Sequence, residues 1–215
     1  LPNRVLAMDR LMQQINTSQR KGQLVAAVLL DLDDFKKVND TLGHETGDRI
    51  IIEAASRLQR LVRSEDTVGR LGGDEFIILV SGLSHPGEVH PIVEGLLQVF
   101  QDPFILNGRE LLLTASLGIA IYPDDGLKPS DLLRNADSAM YHSKETGRNT
   151  FSYFTDSMNR QVLRRFLLEE QMHGALERQE FRVVYQPQVR IGDERITGAE
   201  ALLRWRNAAL GDIQP

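Results

Sequence analysis

The stretch Leu71–Val80, LGGDEFIILV, restricts the surrounding chain more than any other. Val68–Leu71 precedes two glycines and two carboxylates, and an apolar run, Phe76–Val80, follows them. Strand, Gly-Gly, acidic pair, strand is the pattern of a β-hairpin. Gly72 and Gly73 allow positive φ and leave the backbone open to a ligand. Asp74 and Glu75 are then held at a rigid tip, where adjacent carboxylates repel unless a cation or a protonated neighbour relieves them. Mg²⁺ with a polyphosphate would do so. A solvated turn is the alternative, since Gly and Asp favour turns anyway.

A second acidic group sits at another strand end. Leu24–Leu30 (LVAAVLL) is continuously apolar, as expected of a strand covered on both faces, and runs directly into Asp31-Leu32-Asp33-Asp34. Carboxylates at the open end of a buried strand suit a metal site, because the scaffold is rigid. We expect Asp31 and Asp33 to diverge to opposite faces, so that one of them shares a metal with Asp74. Helix capping and first-turn charge are the alternative for Asp33 and Asp34, and the preferred one for Asp34.

The totals narrow the classes. The 215 residues suffice for one domain or one and a half, and 41% hydrophobic residues can bury an ordinary core. A net charge of −5 argues against a nucleic-acid polymer as partner but leaves room for a nucleotide site. The absence of cysteine excludes disulfides and thiolate metal sites and fits a reducing compartment. No apolar run approaches membrane-spanning length, and no signal-peptide pattern opens the chain. Leu1 without a preceding Met, and Gln214-Pro215 without a terminating feature, suggest a piece of a longer protein.

The remaining pattern alternates helices with strands. Helices are expected over Leu1–Lys21, Phe35–Asn39, Arg49–Arg63, Val89–Phe100, Lys128–Thr146 and Thr155–Glu180. The last reads as a linker, with Met158, Val162, Phe166, Met172 and Leu176 apolar. Further strands are expected over Pro103–Leu106 and Leu111–Ile121, around the turn Asn107-Gly108, and over Phe181–Gln186 and Ile196–Trp205. Gly43–Asp48 reads as a polar loop that places Asp48 at a helix start, as an N-cap or as a reader of guanine N1–H and N2–H; His44 reads as structural. Arg63-Ser64-Glu65-Asp66 is a charged loop. Lys144 and Arg148 flank a glycine stop, either as cations complementing a helix C-terminus or as a clamp on triphosphate oxygens.

Five spaced motifs in order resemble the GGDEF family of diguanylate cyclases. Leu71–Phe76 contains its signature, Asp31–Asp40 matches DxDxFKxxND, and Gly43–Asp48 matches GHxxGD. Thr114–Ala120 (TASLGIA) matches its late strand and Lys144–Asn149 matches KxxGRN, while Leu1–Arg4 (LPNR) resembles the end of its opening motif. The resemblance covers residues 1–154. It implies an α/β, palm-like fold of the nucleotidyl-cyclase and polymerase type, with a mostly antiparallel central sheet flanked by helices. The implied reaction is 2 GTP → cyclic di-GMP + 2 pyrophosphate in bacterial signalling. Asp31, the Leu32 carbonyl and Asp74 would hold Mg²⁺ (or Mn²⁺), with Glu75 joining them or deprotonating the attacking 3′-hydroxyl. Asn39 and Asp48 would read guanine. The Phe35 and Lys36 amides, the Gly72-Gly73 backbone, Lys144 and Arg148 would contact GTP. Each domain would be half a catalyst, so a transient homodimer is implied. Arg63 and Asp66 lie where the family carries its RxxD product-inhibition site for cyclic di-GMP. GTP implies a cytoplasmic location, with any membrane contact made through other parts of the parent protein.

A second resemblance begins after the linker, residues 155–180. Tyr185-Gln186-Pro187 and Glu200–Trp205 are similar to the opening of an EAL domain, the cyclic di-GMP phosphodiesterase barrel. Glu200 would be its first metal ligand, and Gln186 and Arg204 would contact substrate. Residues 181–215 would form only the first strands of an incomplete TIM-like barrel, too few to close it or to be active. A GTP-binding regulatory module controlling such a phosphodiesterase is the alternative function for the first domain.

Overall fold

Asn3 starts the first helix, α1 (Arg4–Lys21): its side-chain oxygen accepts from the Leu6 N–H at 3.0 Å. Such an N-cap contributes about 1 kcal/mol. Gly22, in the left-handed conformation at φ 64°, ends the helix. The computed structural model describes residues 1–106 and 108–213. Asn107 of the expected turn, Gln214-Pro215 and the side chains of Arg109, Leu163, Arg165 and Phe166 lie outside the described residues. The chain divides into two compact units, Leu1–Asn159 and Arg160–Pro215.

In the first unit α1 is followed by β1 (Leu24–Leu32), α2 (Phe35–Leu42), α3 (His44–Leu61), β2 (Thr67–Gly72) and β3 (Glu75–Leu83). A short 3₁₀ turn, Pro86–Val89, leads into α4 (His90–Gln98). Next come β4 (Phe104–Leu106), β5 (Arg109–Leu111), β6 (Ala115–Tyr122), α5 (Pro129–Glu145) and β7 (Phe151–Tyr153). The main sheet has the order β2-β3-β1-β6-β7, antiparallel except for the β6–β7 pair. β1 lies at its centre and is buried along nearly its whole length, as its uninterrupted apolar sequence requires.

Alternation along β1 divides the core in two. Ala26, Val28, Leu30 and Leu32 face the cluster that holds Ile50, Leu58 and Leu96 from α3 and α4. Val25, Ala27 and Leu29 face the cluster that holds Ala7, Leu11 and Ile15 of α1 and Leu132, Ala136 and Ala139 of α5. Asp31 continues this second face.

Several boundaries differ from the sequence expectation. β1 runs on to Leu32, so Asp31 is a strand residue. α2 continues past Asn39 to Leu42, and the expected loop 43–48 is a break of one residue, Gly43 at φ 84°. α3 starts at His44; Asp48 is therefore inside the helix, and Gly43 takes the N-cap position. The strand expected over Leu111–Ile121 is two strands: β5 pairs with β4 in a separate two-stranded sheet, and β6 enters the main sheet. The run from Leu111 onward has no break in its strand-like pattern, and that pattern does not record that Leu111 ends β5 while β6 starts only at Ala115.

The second unit contains most of α6 (Asp156–Met172), then β8 (Phe181–Val189), β9 (Ile196–Asn207) and β10 (Gly211–Ile213) in the antiparallel order β10-β9-β8. α6 stops at Met172, short of the expected Glu180; Gly174 follows at φ 74°, and Leu176 is exposed. Glu180 is the anchor of this unit. Its carboxylate pairs with Arg178 at 2.7 Å and accepts from Trp205 Nε1 at 2.8 Å and Asn207 Nδ2 at 3.1 Å. The Arg178 and Trp205 hydrogen bonds hold its pKa down at about 2. Among the described residues no helix is long and apolar enough to cross a membrane.

Helix α5 approaches the sheet most closely over Gly118 in β6. A Cβ there would overlap the Ala136 carbonyl oxygen and the Met140 nitrogen, both helix backbone. Neither can swing aside as a side chain would. Gly118→Ala is expected to destabilise the first unit by about 3 kcal/mol, lowering its melting temperature in circular dichroism by roughly 6–12 °C. An unchanged melting temperature would contradict this packing.

Candidate functional site

Three carboxylates lie at the end of β1 and the tip of the β2–β3 hairpin, Asp31 on the strand and Asp74 and Glu75 at the turn. Asp31 lies directly opposite Glu75 in the β1–β3 register, so both side chains share a face. Gly72 pairs with Glu75, which leaves Gly73-Asp74 as a turn of two residues, with Gly73 at φ 47°. Arg70 Nε donates to the Gly73 carbonyl at 2.9 Å and fixes that turn. Asp31 is buried, and burial pushes its pKa up to about 6. Asp74 and Glu75 push the same way, and Lys144 opposes them. Lys144, in the last turn of α5, places Nζ 2.7 Å from Asp31 Oδ1.

Asp33 does not diverge from Asp31 as expected. Side chains two residues apart in an extended chain return to the same face. Asp33 turns towards β6 and the segment after α5, where it accepts from Thr114 Oγ1 at 2.6 Å, Ser116 Oγ at 2.7 Å and the Asn149 N–H at 3.1 Å. Asp34 holds the N-cap position of α2 in the left-handed conformation at φ 56°, with no side-chain capping bond, so the expected cap is positional only. Ser143 pins the end of α5 to the sheet, donating to the Leu117 carbonyl at 2.7 Å. Arg148 follows Gly147 and is exposed. Thr114, Ser116 and Ser143 were not singled out from the sequence. The available signal was small polar residues in otherwise apolar or strand-like runs.

The residues expected to read a base lie where α2 meets α3. Phe35 is buried at the start of α2 and Lys36 beside it is exposed. Asn39 is half-buried, and its Oδ1 takes no hydrogen bond among the described residues. A Cβ at Gly47 would overlap that oxygen, so the glycine is what lets Asn39 sit there. Asp48 is exposed on the next residue of α3.

Arg63 and Asp66 form a closed turn away from the hairpin tip. The Arg63 N–H donates to Asp66 Oδ2 at 3.2 Å, and the Asp66 N–H donates to the Arg63 carbonyl at 3.1 Å. Burial raises the Asp66 pKa against the opposing hydrogen bonds from the Arg63 and Ser81 backbone. This turn borders a polar cavity of about 770 Å³, lined also by Arg10, Gln14 and Lys21 of α1. Asp66 Oδ1 and Gln14 Oε1 are buried there without a partner among the described residues. The contribution of α1 was not foreseen, because its apolar stripe drew attention to the opposite side of the helix.

In the second unit Gln186 lies opposite Glu200 in the β8–β9 register, and Arg204 opposite Arg182. Glu200 and Arg204, four residues apart, share a strand face with Gln186. Gln186 and Glu200 are exposed and Arg204 is half-buried.

The donor set of Asp31, Asp74, Glu75 and the Leu32 carbonyl is all hard oxygen, which suits Mg²⁺ or Mn²⁺. The upward push of Asp74 and Glu75 on Asp31 is the crowding of like charge that a divalent cation relieves. Among the described residues no three acidic or His side chains are gathered closely enough to hold a metal as they stand. Asp31 Oδ1 is instead paired with Lys144. The residues fit the ion by chemical type, with one Asp31 oxygen already held by Lys144.

The family model described as diguanylate cyclase, GGDEF domain, matches residues 1–150, and the EAL domain model matches residues 169–215. The chain is 41% identical over its whole length to the bifunctional diguanylate cyclase/cyclic di-GMP phosphodiesterase MucR of Pseudomonas aeruginosa, covering 31% of that protein. It is 34% identical, again over its whole length, to the cyclic di-GMP phosphodiesterase NbdA of the same organism, covering 27% of it. The chain thus spans about a third or less of these relatives. The crystallised GGDEF domain of YfiN (TpbB) from Pseudomonas aeruginosa superposes with a TM-score of 0.74 at 32% identity, covering 76% of this chain and 95% of that one.

Lys144 is the cation that opposes the rise in the Asp31 pKa. In metal-free protein, Lys144→Met is expected to move the Asp31 carboxyl titration above its present value of about 6, read by carboxyl-carbon NMR. A value that stays or falls would show that the ion pair does not govern that carboxyl.

Proposed function

The chain belongs to the diguanylate cyclase GGDEF family, followed by the start of an EAL domain, and on that premise we propose that its first unit condenses two GTP into cyclic di-GMP and two pyrophosphate. The observation that carries the reading is Asp31 opposite Glu75 across adjoining strands, with Asp74 next to Glu75 in the hairpin turn and Lys144 paired with Asp31. Asp31, the Leu32 carbonyl and Asp74 would hold Mg²⁺ or Mn²⁺. When bound, the ion makes a 3′-hydroxyl easier to deprotonate and neutralises the leaving pyrophosphate.

The chain's own residues do the rest. Glu75, facing Asp31 across the register, takes the proton of the attacking 3′-hydroxyl or adds a further oxygen ligand. Lys144, paired with Asp31 here, would turn to the triphosphate oxygens when nucleotide binds. Arg148 adds a second cation to the phosphates, and the Phe35 and Lys36 amides at the start of α2 and the Gly72-Gly73 backbone lie along them. Asn39 Oδ1 is an acceptor without a donor, and guanine supplies N–H groups that Asn39 and Asp48 would share. One such site holds one GTP. Each 3′-hydroxyl then has to attack the α-phosphate held by a second copy, which requires a transient homodimer.

Product returns to the cavity beside Arg63 and Asp66. Its support is a polar space of about 770 Å³ lined by Arg63, Asp66 and Gln14, with Asp66 Oδ1 and Gln14 Oε1 buried at its wall and without a partner among the described residues. The guanidinium would meet a phosphate or a guanine edge, and the carboxylate would meet guanine N–H groups. In the EAL segment, Glu200 would supply a metal ligand and Gln186 and Arg204 substrate contacts. β8–β10 alone do not close a barrel and are inactive by themselves. GTP and the signalling role place the unit in the bacterial cytoplasm. A second reading, a GTP-binding module that regulates an attached phosphodiesterase, is favoured by the similarity of this whole chain to a part, 27%, of NbdA, a protein named for phosphodiesterase alone.

Two experiments test these statements. Incubation with GTP and Mg²⁺ over a range of protein concentrations is expected to give cyclic di-GMP at a rate rising faster than linearly with protein. Asp74→Ala and Glu75→Ala should each reduce it at least about 100-fold. GTP binding without product would favour the regulatory module. Arg63→Ala should leave the initial rate unchanged and weaken inhibition by added cyclic di-GMP by about tenfold or more; inhibition equal to that of the unaltered protein would sink the product site.

A further inference from the structure

We propose that Asp33 is a positioning residue for the phosphate clamp, holding through the Asn149 N–H the turn that presents Arg148. The inference rests on the reading of Arg148 as a phosphate ligand and deepens it.

Asp33 is only 5% exposed, and its three described hydrogen-bond donors are neutral: the Thr114 and Ser116 hydroxyls and the Asn149 N–H. Its own N–H donates to the Thr114 carbonyl at 2.9 Å, which locks the residue to the start of β6. A buried carboxylate held by neutral dipoles is well ordered, and it keeps that order only while the donors stay in place. One of those donors is the backbone of the segment after α5.

That segment is strained. Arg148 and Asn149 are both non-glycine residues in the left-handed region, at φ 61° and 47°. Such a conformation persists where the surroundings over-determine it. The Arg148 N–H is tied back to the Ser143 carbonyl at 3.1 Å, and the Asn149 N–H is tied to Asp33 Oδ2. The strained pair therefore sits between one tie to α5 and one to the end of β1. Asp31 and Asp33, two residues apart on one face, then govern the two cations of the clamp: Asp31 pairs directly with Lys144, and Asp33 fixes the backbone that carries Arg148. An amide at position 33 removes the charge that strengthens these bonds and leaves one acceptor oxygen in place of two, so that the Ser116 hydroxyl would have to accept where it now donates.

The test is equilibrium binding of 3′-deoxy-GTP, which lacks the attacking hydroxyl, and of GMP, by calorimetry in Mg²⁺. Asp33→Asn, Arg148→Ala and the double variant are compared with the unaltered protein. Asp33→Asn is expected to weaken 3′-deoxy-GTP about tenfold while leaving GMP within about twofold. Arg148→Ala should do the same, and the double variant should be no weaker than Arg148→Ala alone. Thr114→Val, which removes one donor to Asp33 at nearly constant volume, should show the same selectivity for the triphosphate and keeps the test open if Asp33→Asn does not fold. Equal losses for GMP and 3′-deoxy-GTP, or additive losses in the double variant, overturn the inference. If Arg148→Ala weakens the triphosphate and neither Asp33→Asn nor Thr114→Val does, the clamp stands and the role of Asp33 falls. If Arg148→Ala changes nothing, the clamp itself is wrong and the inference falls with it.

Discussion

Negative charge at the end of a buried strand has to be compensated, and much of the first unit is arranged to do this. Asp31 and Asp33 are both among the buried residues. Isolated, either carboxylate would be costly to keep ionised in such a place. Asp31 is offset by one cation, Lys144, and its raised pKa of about 6 shows that the offset is incomplete. Asp33 is offset by three hydrogen bonds, from Thr114, Ser116 and Asn149. Both solutions depend on α5 and the residues after it lying close against β6. Gly118 permits that approach, and the Ser143 hydroxyl on the Leu117 carbonyl maintains it.

The incompleteness at Asp31 is useful to the proposed chemistry. A fully satisfied carboxylate would have no reason to exchange partners, whereas one crowded by Asp74 and Glu75 gains from a more highly charged cation. Lys144 is then an internal counter-ion for Asp31, and in the proposed function it would meet the anion that arrives with a divalent ion. Asn39 shows the same logic where guanine is proposed to bind, with a buried acceptor that has no donor among the described residues and a neighbouring glycine that makes room for it. Groups left unsatisfied in the fold mark where a ligand completes it.

The sequence made some of this legible and hid the rest for physical reasons. The hairpin, the covered strand and the capped first helix were readable because each is set by local chemistry: Gly73 in the turn, an unbroken apolar run in β1, Asn3 and Gly22 at the ends of α1. The carboxylates at the strand tips were readable as a group because they follow those elements directly. The role of Asp33 was hidden, since its partners lie 81, 83 and 116 residues away in sequence. The start of α3 was misplaced because Gly43, His44 and Gly47 look like loop composition, and the helix there is stabilised by packing of Phe35 and Asn39 against Gly47. The break between β5 and β6 was invisible for the same reason: pairing partners, and not strand propensity, divide that run.

One hairpin joins the proposed catalytic tip to the proposed product cavity. Asp74 and Glu75 lie at its turn, while Asp66 precedes β2, and Ser81 and Gly82 near the end of β3 line the cavity. A ligand lowers the rate only if it binds competent and incompetent arrangements with different affinity. Bending the hairpin is a poor candidate for that difference, because β3 is buried between β2 and β1 and its apolar residues from Phe76 to Val80 contribute to both cores. The cavity is open along α1, whose Arg10, Gln14 and Lys21 face it from outside the sheet. If each unit supplies half of the catalyst, the softest variable in the system is how two units face each other. A dinucleotide held, as proposed, at α1 and the Arg63–Asp66 turn would act on that variable without deforming the site whose charge balance the fold maintains.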